Sequence, residues 1–210
     1  MTLPLLCLAA ALAGYLLGGV NPAIVLSRAV YHEDIRTRGS GNPGFTNFKR
    51  VYPGAAAWLV LALDIAKTAL PVWAFSALFR RLFSLGQLGA ALTGFCCMLG
   101  HAYPVWYRFR GGKSFIACFA TVWFVDWRVG LCYLGVAAVL LAATRIMSLA
   151  SVAAAASYPV SLALFGFAPW TVELLAAASA ALVIYRHRAN LRRIAAGTEP
   201  RFTLRSRGAH

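Results

Sequence analysis

Acidic side chains are scarce in this chain: 6 Asp and Glu stand against 20 Lys and Arg in 210 residues, and charged residues of both signs reach only 12%. With 60% apolar residues and a mean hydropathy of +0.69, that shortage excludes an ordinary soluble domain. The five cysteines (Cys7, Cys96, Cys97, Cys118, Cys132) sit inside apolar runs and form no CxxC or His/Cys spacing, so they read as small core residues. Neither a metal, a cofactor nor a nucleic acid is expected as a partner. The opening "MTLPLLCLAAALAGYLLGGV" has no basic n-region, which predicts a first membrane helix rather than a cleaved leader. No internal repeat and no low-complexity linker divides the chain, and the alanine-rich "SLASVAAAASYPVSLALFGFA" reads as scaffold for close helix packing. Residues 1–210 are expected to form one transmembrane domain.

What the chain has in abundance is long apolar runs. Candidate spans fall at 3–29, 54–79, 82–106, 115–125, 129–144, 149–168 and 169–185. The expected fold is therefore an all-α integral membrane protein with about seven transmembrane helices. The net charge of +14 orients it. With the N-terminus outside, Arg36, Arg38, Lys49, Arg50, Arg108, Arg110, Lys113 and Arg145 fall on the cytoplasmic side, and so does a tail carrying Arg186, Arg188, Arg192, Arg193, Arg201, Arg205 and Arg207. Only Arg80, Arg81 and Arg128 remain outside, which satisfies the positive-inside rule. This topology brings three polar segments to one face: "RGSGNPGFTNFKR", "GHAYPVWYRFRGGKS" and "YRHRANLRRIAAGTEPRF".

Glycines let a backbone approach an anion and turn N–H groups toward it, while Arg and Lys supply charge-assisted bonds to phosphate oxygens. Each segment therefore reads as one wall of a phosphate cradle, with Ser40, Gly41, Asn42, Thr46, Asn47 and Arg50 in the first and Gly111, Gly112, Lys113 and Ser114 in the second. Gly112-Lys113-Ser114 matches the end of a nucleotide P-loop, but Tyr107 stands where its first glycine belongs and no strand precedes it. In the third segment His187 precedes Asn190 by three residues, so the two share a helical face and are suited to handle a proton and orient an oxygen. His32 and His210 read as solvated, and His101 as a packed or capping residue. No histidine has an aspartate five positions later, which disfavours the HxxxxD lipid acyltransferases that use coenzyme A or carrier-protein donors. Asp64 and Lys67, one turn apart within the second span, must face the bundle interior, as a structural pair or as the floor of a polar cavity. Pro22 is expected to kink the first span.

Together "GSGNPGFTN" with Arg50, "GHAYPVWYRFRGGKS" and "HRANLRRIAAGTEP", with the lesser "NPAIVLSR", "LDIAKTALPV" and "TRIMSLASVAAA", resemble the bacterial acyl-phosphate:glycerol-3-phosphate acyltransferases over most of the chain. The resemblance implies a monomeric enzyme of the bacterial inner membrane, with its site toward the cytoplasm. It would move a fatty acyl group from acyl phosphate to the 1-hydroxyl of glycerol 3-phosphate among membrane lipids. It implies that Ser40 and Arg50 are needed for turnover, that Gly111 and Gly112 help bind glycerol 3-phosphate, that His187 and Asn190 are catalytic, and that Glu199 supports the third loop. Pro43 and Phe45 stand where the family more often has an aliphatic residue and alanine, and Ser114 where glycine is common. An organic-anion carrier and a non-catalytic relative of the enzyme are the alternatives, the first disfavoured because polar residues crowd one face and no matching halves are visible.

Overall fold

In lipid an apolar run has no water to satisfy its peptide groups, so it must close its hydrogen bonds within itself as a helix. The computed structural model describes residues 2–166 and 168–202, so Arg205, Arg207 and His210 lie outside the described residues. The helices are α1 (Leu3–Gly19), α2 (Pro22–Tyr31), α3 (Phe45–Val51), α4 (Ala55–Phe83), α5 (Gly86–Ala102), α6 (Phe115–Val125), α7 (Trp127–Thr144), α8 (Met147–Phe165), α9 (Trp170–Arg186) and α10 (Arg188–Ala195). There is no strand among the described residues.

Among the described residues, five segments are long and apolar enough to cross a membrane: Leu3–Tyr31, Ala55–Phe83, Gly86–Tyr107, Trp127–Thr144 and Met147–Phe165. The other two expected spans are helical but shorter, α6 with 11 residues and α9 with 17. At about 1.5 Å per residue, α6 covers only about half of an apolar layer roughly 30 Å thick. The first span is broken rather than kinked: α1 ends at Gly19, and Asn21 caps α2 by accepting from the Ile24 N–H at 3.0 Å, with Pro22 in the first helical turn.

The bundle is built around α5, most of whose residues are buried, whereas α7 mostly faces outward. Its small residues let α1 approach backbone to backbone: a Cβ on Gly18 would overlap the main chain of Cys97, and one on Gly100 the carbonyl of Tyr15. Large apolar side chains point the other way, with Leu8, Trp73, Val139 and Leu164 all more than half exposed. That pattern suits a lipid surround and would be a liability in water. At one end, a smaller cluster of Ile24, Ile35, Phe48 and Val60 seats α3 and the loop before it on α2 and α4. Tyr52 stacks on Tyr31 at 3.9 Å and donates to Glu33 at 2.6 Å, which fixes where that loop leaves α2.

Candidate active site

The first loop, residues 32–44, holds its shape by spending its own donors. Asn47 is buried, accepts from the Ser40 N–H at 2.8 Å and donates to the Arg38 carbonyl at 3.0 Å. The Gly41 and Gly44 N–H groups go to the carbonyls of Arg38 and Asn42, and the Pro43 carbonyl accepts from Asn21 at 3.0 Å. Asn47 is thus a brace for the loop. The Ser40 hydroxyl and the Arg50 guanidinium remain, both lining a cavity and without a hydrogen bond among the described residues.

The second loop runs back along the end of α5. Gly111 N–H donates to the Ala102 carbonyl at 3.2 Å and Gly112 N–H to the His101 carbonyl at 2.9 Å. This return is why α6 begins late and is short. It also corrects the expected role of these glycines: their N–H groups are taken by α5 and cannot serve a phosphate. What the positions require is space, since a Cβ at Gly111 would overlap the His101 carbonyl and one at Gly112 the His101 ring. Ser114 is a second correction. It is buried, its hydroxyl donates to the Met98 carbonyl at 2.7 Å, and its φ of 61° lies in the left-handed region, which accounts for a preference for glycine there.

Arg186, read from sequence only as a topology charge, clamps this loop. Its guanidinium donates to the carbonyls of Gly112 at 3.0 Å and Gly111 at 2.9 Å and lies 4.9 Å from the Tyr103 ring centre. Hydrogen bonds from a charged donor contribute about 1.5–3 kcal/mol. We therefore expect Arg186→Gln to raise KM for the loop's anionic ligand by about tenfold or more while leaving kcat less affected. Steady-state kinetics with purified variant check this, and an unchanged KM removes the clamp role.

In the third segment, His187 ends α9 and Asn190 lies on α10, both buried. The Val183 carbonyl lies 2.8 Å from His187 Nδ1; a carbonyl can only accept, so Nδ1 carries the proton and Nε2 keeps its lone pair. Asn190 links the segments: its Oδ1 accepts from Lys113 Nζ, and its Nδ2 donates to Glu199 Oε1 at 2.6 Å. The reverse amide orientation would set NH2 against an ammonium and oxygen against a carboxylate, so the network admits one orientation. Glu199 also accepts from Ser148 at 2.7 Å and from Arg193 at 2.7 Å. Arg193, three residues after Asn190, was legible as a member of the same helical face. Ser148 was not, being 51 residues from its partner.

These groups meet around a cavity of about 480 Å3. Ser40, Asn42, Thr46, Asn47 and Arg50 line it from the first segment, Lys113 and Ser114 from the second, and His187, Asn190 and Glu199 from the third. Asp64 and His101 also line it. Gly41 and Gly111 instead face a neighbouring cavity, and Gly112 and Lys67 stand behind the wall. Lys67 Nζ lies 2.9 Å from Asp64 Oδ1, an ion pair outside hydrogen-bond alignment, and donates to the Val20 carbonyl at 2.8 Å and to His101 Nδ1 at 2.9 Å. The anticipated pair is therefore present and reaches both α2's entry and the second loop's support.

Burial pushes the Lys113 ammonium down to about 8, with Glu199 opposing and Arg193, Arg186 and Arg50 adding to the shift. Burial likewise pushes His187 down to about 4, against the Val183 hydrogen bond, so the imidazole is neutral at pH 7. Burial alone would raise Glu199, but bonds from Asn190, Ser148 and Arg193 hold it below its ordinary value, so it stays a carboxylate. The result is a cationic, side-chain-lined cleft at one end of a lipid-facing helical bundle.

Such an arrangement defines an integral membrane protein that handles a small anionic substrate. The sequence profile of the glycerol-3-phosphate acyltransferase family matches residues 8–197, and the chain belongs to that family. Relatives called glycerol-3-phosphate acyltransferase include one from Jannaschia sp. (strain CCS1), 40% identical over 191 residues that cover 91% of this chain and 90% of its own. Another, from Cereibacter sphaeroides (strain ATCC 17025 / ATH 2.4.3), is 41% identical over 192 residues, 90% of this chain and 86% of its own. The crystal structure of PlsY (YgiH), an integral membrane glycerol 3-phosphate acyltransferase in its glycerol 3-phosphate form, matches with a TM-score of 0.84 and 33% identity, covering 94% of this chain and 96% of that one. Its lysophosphatidic acid form matches at 0.81 and 32% identity, with 94% and 95% covered.

Proposed function

We propose that this chain, as a single transmembrane domain, transfers a fatty acyl group from acyl phosphate to the 1-hydroxyl of glycerol 3-phosphate, releasing lysophosphatidic acid and phosphate for phospholipid synthesis. The observation that carries this reading is the convergence of Ser40, Arg50, Lys113, His187 and Asn190 on one cleft, tied by the Lys113–Asn190–Glu199 chain. Leu61, Ile116 and Met147 line the same cleft and suit an acyl chain. Family membership and the glycerol 3-phosphate and lysophosphatidic acid forms of PlsY support the acceptor and product. The charge bias of the loops supports a cytoplasmic face at the inner membrane of a bacterium. We take the working unit to be the monomer, since one chain supplies all three walls.

An acyl phosphate is a mixed anhydride with a good leaving group, so no covalent enzyme intermediate is needed. Arg50 and Lys113 hold the phosphates, and Ser40 and Asn190 orient them. The glycerol hydroxyl oxygen attacks the acyl carbonyl, the bond from that carbon to the phosphate oxygen breaks, and the hydroxyl proton must leave. His187, at about 4, is a weaker base than a phosphate dianion with its second pKa near 6. We therefore route the proton of the attacking 1-hydroxyl to a phosphate oxygen and let His187 Nε2 orient the acceptor by accepting a hydrogen bond from its neighbouring 2-hydroxyl.

The test is to supply purified protein in detergent with palmitoyl phosphate and glycerol 3-phosphate and to follow lysophosphatidic acid and phosphate. We expect product from wild type and a loss of about 100-fold or more in Ser40→Ala and Arg50→Ala, the scale of removing one preorganised donor to a reacting anion. Absence of product, with anion flux in liposomes instead, would favour the carrier. A pH profile probes Lys113. Because its folded pKa is lowered to about 8, the charged form is lost as pH rises through that value, so kcat/KM for glycerol 3-phosphate should fall about tenfold per unit above it. Lys113→Arg should remove that alkaline limb, since a guanidinium stays charged.

A further inference from the structure

A second cavity, about 600 Å3, lies beside the catalytic one. Four guanidinium groups line it, from Arg28, Arg36, Arg108 and Arg110, with Asp34. Asp34 pairs with Arg28 at 2.8 Å and with Arg36 at 2.7 Å, and its bonds to Arg36 hold it well below the usual carboxylate range, so it stays charged. One carboxylate cannot neutralise four arginines. Arg36 also donates to the carbonyls of Tyr107 at 3.1 Å and Arg110 at 3.3 Å, stapling the first substrate loop to the second. Arg28 and Arg36 both stand over the Tyr107 ring, at 5.9 and 5.8 Å. Their positions are thus set before any ligand arrives. Arg108 and Arg110 are exposed and have no side-chain hydrogen bond or ion pair among the described residues.

A concave basic site of this kind takes a phosphate group, which guanidinium forks bind through paired hydrogen bonds. Phosphate could come from solution or from a lipid headgroup, and the surroundings favour the lipid. Trp106 lines the cavity, is 56% exposed, and has its indole N–H tied to the Leu16 carbonyl of α1 at 3.0 Å. Val105 and Phe109 beside it are also exposed. Aromatic groups anchored this way on a spanning helix mark headgroup depth.

We propose that this cavity binds the phosphate of an anionic membrane phospholipid. Its occupant would bear on the catalytic cleft through a shared wall. Gly41, Pro43 and Gly111 face the lipid cavity, while Ser40, Asn42 and Lys113, their near neighbours in the chain, face the substrate.

Binding can be read without any assumption about the reaction. The full chain in neutral-detergent micelles is titrated with phosphatidylglycerol or phosphatidylcholine, and retained lipid is counted by native mass spectrometry. We expect wild type to hold phosphatidylglycerol about tenfold or more tightly than the zwitterionic lipid. Arg108→Gln/Arg110→Gln should lose that preference, and Arg108→Lys/Arg110→Lys should keep most of it, which separates lost charge from lost folding. Millimolar inorganic phosphate should leave the lipid bound. Equal retention by wild type and the glutamine variant overturns the site, and displacement by inorganic phosphate overturns the lipid assignment.

Discussion

Asn190→Ala is expected to lower kcat/KM for glycerol 3-phosphate by about 10² to 10³ while leaving the helical bundle intact. The side chain is the only bridge among the described residues between the Lys113 ammonium and the Glu199 carboxylate. Removing it leaves both charges in a largely buried setting with one partner fewer. A hydrogen bond to a charged group contributes about 1.5–3 kcal/mol, more than a surface contact. Part of that cost appears as lost stability and part as a mobile Lys113, which no longer points one way at a phosphate. Asn190→Asp is the sharper control. It still offers Lys113 an acceptor, but it sets a second carboxylate 2.6 Å from Glu199 Oε1 and should lower Tm more than alanine does. Kinetics and thermal unfolding of both variants decide the matter. An alanine variant within threefold of wild type would sink the positioning role of this chain of contacts.

Gly112→Ala is the second large effect, expected at about 100-fold or more in kcat/KM together with a loss of stability of about 1–3 kcal/mol. The added methyl would overlap the His101 ring. That ring cannot step aside, because Lys67 donates to its Nδ1 at 2.9 Å and Lys67 is itself held by Asp64 and the Val20 carbonyl. The loop must then give way, breaking the bond from Gly112 N–H to α5 and the bond its carbonyl accepts from Arg186. Lys113 follows the loop, so the damage should fall on KM as well as kcat. Comparison with His101→Ala/Gly112→Ala separates steric cause from lost glycine flexibility: relief of the clash should restore part of the loop's position and of the affinity for glycerol 3-phosphate. No recovery in the double variant would refute the overlap as the cause.

Much of this site was legible before any coordinates. Lys113 stands out beside glycine in a basic loop and His187 and Asn190 by their three-residue spacing at the end of the last span, while the family resemblance singles out Ser40 and Arg50; all five line the cleft. The pairing of Asp64 with Lys67 followed from their one-turn spacing and the cost of a lone charge in lipid. Other roles depended on partners far away in sequence. Ser114 looked like a phosphate donor until Met98 was found to accept its hydroxyl. Arg186 looked like one positive charge among many, yet it spans 74 residues to reach Gly112. The bounds of the short α6 were legible, since residues 115–125 were expected and Phe115–Val125 is observed, whereas the return of the second loop along α5 that precedes it was not.

The sequence by itself determined a helical membrane bundle with three polar segments at one end. Apolar runs must satisfy their own peptide groups, while basic and glycine-rich segments stay at the interface. Only the tertiary structure decided which groups in those segments remain free for substrate. A hydrogen-bonding group serves a ligand only if no neighbour has already taken it, and here α5 takes the glycine N–H groups, Asn47 takes that of Ser40, and the side chains are left to bind.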